Sequence, residues 1–256
     1  MIQVLSPAQV EAARPVGRFV GSTLAQLRER TGPGTNLLDI DAWARELIAR
    51  AGAVSYYVDY APSFGRGPFG KVICTSVNDA VLHGLPHDYA LRAGDLLTLD
   101  FAVSLNGWVA DAAVSFVVGE QPDAADQRLI ETTRRALAAG IAAAGPGKRI
   151  GDISHAIGMV LTGAGFRVNT EFGGHGVGTT MHQDPHVPNN GRPGRGLTLK
   201  PGMLLAIEPW VMADTDRLTV DRDGWTLRSS TGCRTAHSEH TVAITRAGAE
   251  ILTQPA

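Results

Sequence analysis

The sequence predicts an α+β protein built from two similar halves, and three observations carry that prediction. Slid against itself by 113 positions, the chain lays Gly32, Pro33, Gly34, Asp39, Ile40, Ala51 and Gly52 on Gly145, Pro146, Gly147, Asp152, Ile153, Ala164 and Gly165. Matches held at one offset are the mark of an internal repeat. Helical periodicity opens the chain, and Asn106-Gly107 stands between two β-rich runs, the strongest short-range hairpin signal. A helix pair followed by antiparallel strands, twice over, gives a single domain over 1–256 with internal halves of about 1–118 and 119–256. The halves are then related by a pseudo-twofold axis, with a site between them.

The elements follow in order. Ser6, with Pro7 next and Gln9 three residues on, has the form of a capping box with proline at the first helical position, so a helix is expected from there towards Arg30. Pro15 lies inside that span and removes one backbone donor, which predicts a kink or a late start. A second helix is expected after Asp39, because Ile40, Trp43, Ala44, Leu47, Ile48 and Ala51 fall on one helical face. Strands are expected after Tyr56 in the first half and after Val168 in the second.

Leu96 to Leu105 and Trp108 to Val118 read as the two strands of the hairpin. A two-residue turn sets the register: Leu105 faces Trp108 and Asp111 faces Ala102, while Asp100 lies two positions along on the same face. Both carboxylates are then diagonal neighbours, about 7 to 8 Å apart at the backbone. Each sits in apolar sequence, LLTLDFAV and GWVADAAVSF, and no lysine or arginine lies on either strand. Burying two carboxylates without a cation is costly, so a shared metal ion is expected.

Composition narrows the function classes. The 256 residues carry 23 basic and 25 acidic side chains, a net charge of −2, without the basic excess that phosphate neutralisation requires, so no nucleic-acid partner is expected. No apolar run approaches the length that crosses a bilayer, and the opening MIQVLSPAQVEAARPVG lacks the form of a secretory signal, so no membrane partner and a cytoplasmic location are expected. Cys74 and Cys233, 159 positions apart, read as packed or pocket thiols and not as a disulfide frame. Nothing in the pattern demands a partner chain, so a monomer is expected.

Further chemistry lies downstream. His175 stands among four glycines in EFGGHGVGTTMHQDPH, where access to the imidazole is the expected reason for the glycines, and His182 follows seven residues later. Glu208 interrupts MLLAIEPW, and Glu239 precedes HTVAIT. Asp100, Asp111, His175, Glu208 and Glu239 together offer four carboxylates and one imidazole, enough negative charge for two divalent ions. Oxygen-dominated ligation with one nitrogen suits manganese, iron(II), cobalt or zinc in a hydrolytic centre.

NDAVLHGLP at Asn78, LDFAVSLNGWVADAAVSF at Leu99, GGHGVG at Gly173, MHQDP at Met181, IEP at Ile207 and SEHTV at Ser238 stand in an order that resembles type I methionine aminopeptidases. The resemblance covers nearly the whole chain and implies the pita-bread fold, an antiparallel curved sheet covered by helices. It also implies a dinuclear metallohydrolase that removes the N-terminal methionine of nascent proteins and peptides, with a metal-bridging water as nucleophile and an association with the ribosome. Asp100 and Asp111 would then chelate, with Asp111 and Glu239 bridging two divalent ions, and His175 and Glu208 would complete the coordination of the other ion. Glu208 would serve as general base, His83 would contact the substrate nitrogen or leaving group, and His182 the scissile carbonyl. Phe69, Cys74, Met181 and Trp225 match positions lining the methionine pocket. Three positions depart from the family pattern: Met181 replaces a common phenylalanine, Arg66 a frequent aromatic residue, and His237 a commoner glutamine. X-Pro aminopeptidases and dipeptidases share the ligand set, and non-catalytic scaffolds share the fold, so both stand as alternatives.

Overall fold

The computed structural model describes residues 2–62, 65–119 and 121–255. In the first half, helices α1 (Pro7–Arg30) and α2 (Leu37–Ala51) precede strands β1 (Val54–Ser55), β2 (Cys74–Val77), β3 (Ala80–Leu82), β4 (Leu96–Leu105) and β5 (Trp108–Val117). In the second, α3 (Ala124–Ala143) and α4 (Ile150–Gly163) precede β6 (Gly173–Val177), β7 (Gln183–Pro188), β8 (Leu204–Ile207) and β9 (Trp210–Met212). The chain ends in β10 (Leu218–Val220), β11 (Leu227–Ser229), β12 (Thr235–His237), β13 (Glu239–Thr245) and β14 (Gly248–Ile251).

The caps explain where the helices begin. Ser6 and Gln9 form the reciprocal box, the Ser6 N–H donating to Gln9 Oε1 at 2.9 Å and the Gln9 N–H to Ser6 Oγ at 3.3 Å. The late start expected from Pro15 does not occur: the helix runs unbroken, because Pro15 is on its exposed face, where the carbonyl left without a donor meets solvent. α2 starts at Leu37, three residues before Ile40, the first position after Asp39. Asn36 is the cap, accepting from the Leu38 N–H at 3.0 Å, and Asp39 closes the box from the third helical position.

The repeat of 113 residues recurs as matched hydrogen bonds. Gly34 donates to the Leu91 carbonyl at 2.7 Å, Leu91 to Thr35 at 2.8 Å and Leu37 to Tyr89 at 3.1 Å. In the second half Gly147 donates to Leu199 at 3.0 Å, Leu199 to Lys148 at 2.7 Å and Ile150 to Leu197 at 3.0 Å. Gly34 and Gly147 hold φ of 86° and 80°, so the turn demands glycine at both places. Each turn thus ties the start of its second helix to a segment leading into the sheet. The first strands begin at Val54 and Gly173, the former slightly earlier than expected.

Among the described residues the main sheet is antiparallel and nine-stranded, in the order β1-β4-β5-β13-β8-β6-β7, with β2 added to β4 and β14 to β13. The hairpin has the expected register, Leu105 opposite Trp108 and Asp111 opposite Ala102, around Asn106 and Gly107 at φ of 53° and 81°. Alternation assigns the two faces. Leu97, Leu99, Phe101 and Val103 of β4 pack with Val20, Leu27, Ile40 and Ala44 of α1 and α2, and Leu205, Ile207, Val242 and Ile244 pack with Ile153 and Ile157 of α4. Burial of these side chains, roughly 1.5–3 kcal/mol each, is what holds the helices on the sheet. The intervening residues, Asp100, Asp111, Glu239 and Thr241 among them, are left for the opposite face.

Candidate metal centre

Four strands of the sheet, and the residue that follows a fifth lying among them, each contribute one side chain able to ligate a metal. Reading across the sheet, β4 carries Asp100, β5 Asp111, β13 Glu239, β6 His175, and Glu208 follows the last residue of β8. Asp100 and Glu239 are both in register with Ala113, and His175 and Thr241 are both in register with Ala206. Side chains in one register row share a face, so the ligands alternate with alanine and threonine. Those small residues leave the space between the carboxylates open. Thr241 also ties the strands beneath them, its Oγ1 accepting from the Asp111 N–H at 2.9 Å and donating to the Asp111 carbonyl at 2.8 Å.

The ligating atoms converge. Asp111, His175 and Glu239 form one group and Asp100, His237 and Glu239 another, within each of which all atoms lie inside 4.8 Å of one another; Glu239 belongs to both. His175 Nε2 is 3.9 Å from Asp111 Oδ2 and 3.8 Å from Glu208 Oε1. The Tyr57 hydroxyl donates to Asp100 Oδ1 at 2.6 Å and lies 3.4 Å from Asp111 Oδ1.

Electrostatics match that geometry. Burial raises the Asp100 carboxyl to about 6, against the pull of its hydrogen bonds from Tyr57 and Asp111. Burial, then the nearby Asp100, raises Glu208 to about 8; Asp111 is held well up by burial and by Asp100 and Glu208, and Glu239 by burial and by Asp111, Glu208 and Asp100. Burial pushes His175 down to about 3. No lysine or arginine is among the described residues lining the cavity, so no cationic side chain of that lining balances the four carboxylates. Glu239 Oε1 is buried without a hydrogen-bond partner. Oxygen donors in excess, neutral imidazole and an orphaned carboxylate oxygen are what divalent cations of the first transition row fit.

The cavity beside these ligands is lined by Tyr57, Tyr60, Phe69, Cys74, His83 and Trp225, with His182 at its mouth. Phe69 and Trp225 meet edge-to-face at 5.2 Å between ring centroids, and Tyr57 meets Phe69 at 5.6 Å. Cys74 pairs directly across from Asp100, which brings a small, buried thiol to the pocket wall. His83 is held at φ 55°, a left-handed conformation that a non-glycine residue adopts at a cost, immediately after β3. The His182 ring stands edge-on to His175 at 4.3 Å. Met181, expected in the pocket wall, is buried in the same apolar cluster as Phe69, Cys74 and Trp225 but is not among the side chains lining the cavity. Arg66 is exposed.

The glycines around His175 have a different reason from the access expected of them, since His175 itself is buried. A Cβ on Gly174 would run into the Ala206 carbonyl oxygen, and one on Gly176 into that of Asp184. They are required because β6 is squeezed between β8 and β7. Sequence reading also missed Tyr57, which lies far from every ligand along the chain and carries no spacing signal. It noted His237 only as a departure. The period of two that sets Glu239 facing inward points His237 the same way, which is the signal that would have found it.

Known proteins place this arrangement. The profile of metallopeptidase family M24 matches residues 11–246. Methionine aminopeptidase 1 of Bacillus subtilis is 39% identical over 99% of this chain and 100% of its own length. Methionine aminopeptidase 1 of Mycobacterium tuberculosis is 41% identical over 97% of this chain and 93% of its own. The crystal structure of methionine aminopeptidase from Thermotoga maritima superposes with a TM-score of 0.93 at 37% identity, covering 99% of this chain and 100% of that one. Prolidase from Pyrococcus furiosus, at a TM-score of 0.77 and 20% identity, shares the fold across 99% of this chain and 66% of its own.

Proposed function

Because the chain belongs to metallopeptidase family M24, and within it to the methionine aminopeptidases, we propose that its metal centre removes the N-terminal methionine of nascent proteins and peptides. The observation that carries this reading is the convergence of one acidic or imidazole side chain from each of four strands, and from the residue that follows a fifth, on a space lined by no cationic side chain among the described residues.

Two divalent ions would be held by Asp100, Asp111, His175, Glu208 and Glu239, with Asp111 and Glu239 facing both. Bound there, the ions supply an activated water nucleophile and polarise the scissile carbonyl. Glu208 takes the proton released by the nucleophile and returns it to the leaving amine. His182, open to solvent at the cavity mouth, donates to the carbonyl oxygen as negative charge develops, and His83 orients the substrate nitrogen. Phe69, Cys74 and Trp225 enclose the methionine side chain in apolar surface, with Met181 packed behind them. Manganese, iron(II), cobalt and zinc all suit the donor set, so availability decides among them. We propose further that the protein acts as a monomer on nascent chains beside the ribosome in the cytoplasm. No helix among the described residues is long and apolar enough to cross a membrane.

The deciding experiment measures hydrolysis of Met-Ala-Ser by metal-free protein, alone and after addition of manganese, cobalt, iron(II) or zinc, beside an Ala-Pro peptide. Metal-restored cleavage of the methionyl peptide alone is the expected result. Preference for Ala-Pro would make the protein an X-Pro peptidase, and no cleavage of either a binding scaffold.

A further inference from the structure

His237 occupies a place in this centre that the five-residue ligand set leaves out. It ends β12, and Glu239 begins β13 two residues later, so the two-residue alternation turns both side chains to the same side, with His237 packed behind the residues that line the cavity. Its backbone is pinned on both sides by one hydroxyl: Ser115 Oγ accepts from the His237 N–H at 2.9 Å and donates to the His237 carbonyl at 2.8 Å. The ring is 1% exposed, and neither of its nitrogens has a hydrogen-bond partner. Buried imidazoles in folded proteins are almost always bonded through at least one nitrogen.

What the ring does face is acidic. Nε2 is 3.8 Å from Glu239 Oε2 and 3.9 Å from Glu208 Oε2, and the ligating atoms of Asp100, His237 and Glu239 all lie within 4.8 Å of one another. These separations are too long for hydrogen bonds. They suit two donor atoms that share one ion at about 2.0–2.2 Å from each. His175 stands in the same relation on the other side, 3.8 Å from Glu208 Oε1 and 3.9 Å from Asp111 Oδ2. The Glu208 carboxylate therefore has an imidazole against each of its oxygens.

Resting on the metallohydrolase reading above, we propose that His237 is a sixth metal-ligating residue, donating an imidazole nitrogen to the ion held by Asp100 and Glu239. Coordination gives a partner to one of its two orphaned nitrogens and adds no charge to a set whose four carboxylates already match two divalent ions. It also changes the chemistry of that position from oxygen-only to mixed nitrogen and oxygen. Imidazole suits zinc, cobalt and iron, whereas carboxylate sites suit manganese and magnesium. The Asp100 position in this protein should accordingly favour cobalt and zinc over manganese.

The test compares wild type with His237→Gln and His175→Ala by titrating metal-free protein with cobalt(II) and with manganese(II), following heat and the visible cobalt spectrum, with circular dichroism to verify folding. His237→Gln should weaken one of two cobalt equivalents by about 10- to 100-fold, change the visible band that fills with it, and alter manganese binding less. Unchanged cobalt affinity and spectrum in folded His237→Gln, with metal lost from His175→Ala, would overturn the role of His237 and leave the metallohydrolase reading standing. Absence of divalent-ion binding in wild type would overturn both. Nitrogen-15 shifts of labelled histidine in zinc-loaded wild type answer the same question without a variant: a coordinated His237 nitrogen is expected, and two uncoordinated ones would refute it.

Discussion

The Tyr57 hydroxyl donates a 2.6 Å hydrogen bond to Asp100 Oδ1 inside a fully buried site, from a loop 43 residues away in sequence. A carboxylate held by such a donor keeps one oxygen occupied and presents the other to the cavity. Tyr57→Phe removes the donor and little volume. It should lower metal affinity by about 10- to 100-fold, the usual effect of losing a ligand's own hydrogen-bond partner, with the fold retained. Metal content after dialysis, beside Met-Ala-Ser turnover at saturating metal, checks it; retention equal to wild type would mean that Asp100 is oriented by its strand alone.

Asp111 sits against Asp100 and Glu208 without a cation, so its charge costs the metal-free protein stability and serves the loaded one. Asp111→Asn should raise the melting temperature of metal-free protein, lower that of metal-saturated protein, and reduce turnover by orders of magnitude. Thermal melts with EDTA and with excess manganese read both signs; a fall in each would make Asp111 a packing residue.

The pH dependence of metal-free stability follows from the same charges. Burial pushes His83, His182 and His240 down to about 4 and His175 and His237 down to about 3 from 6.5, so below about pH 7.5 the unfolded chain binds protons that these folded rings do not, and their contribution makes stability rise with pH until it fades there. Glu208 ionises at about 8 in the folded protein against 4.5 unfolded, so between about pH 7.5 and 8.5, above the histidine range, the folded state binds more protons and stability falls as pH rises. Melting temperatures in EDTA should therefore decline across that window, and saturating metal should flatten the slope. A rise with pH in EDTA would contradict the raised carboxyls.

His83 and His182 reach the cavity from outside the ligand set. Alanine at either should leave metal stoichiometry unchanged and depress kcat by about 10²- to 10³-fold, as loss of a donor to developing charge does. Metal loss from His182→Ala would make that residue a ligand.

Specificity should depend more on the rings that face the cavity than on Met181 behind them. Phe69→Ala removes the partner of both Tyr57 and Trp225 and should narrow the preference for methionine over leucine. An apolar pocket separates one methylene by only about 1–3 kcal/mol, so the ratio is sensitive to shape. Met181→Phe should move the same ratio less. A peptide series varying the first residue measures both; a larger effect at Met181 would return it to the wall.

Local signals determined much of this protein before any tertiary contact was known. The Asn106-Gly107 turn has one favoured strand register, and that register alone put Asp100 and Asp111 on one face. The Gly-Pro-Gly turns at a spacing of 113 residues announced the repeated halves, because the left-handed backbone they need is a property of glycine itself. Glycine-rich and apolar context singled out His175, Glu208 and Glu239, and the resemblance in motif order gave them roles, but neither showed how they meet. That was decided by strand order: β13, last but one in the chain, inserts between β5 and β8, and so sets Glu239 in register with the row of Asp100. The same insertion turned His237 from an apparent substitution in a motif into a buried ring with unbonded nitrogens among carboxylates. Tyr57 became visible only when its loop closed over β4. Sequence periodicity reports which face a side chain takes, since that depends on neighbours one or two residues away. Which faces confront one another depends on the burial of helix and sheet surfaces far apart along the chain, Glu239 pairing with Ala113 for example, and that is settled only when the whole chain packs.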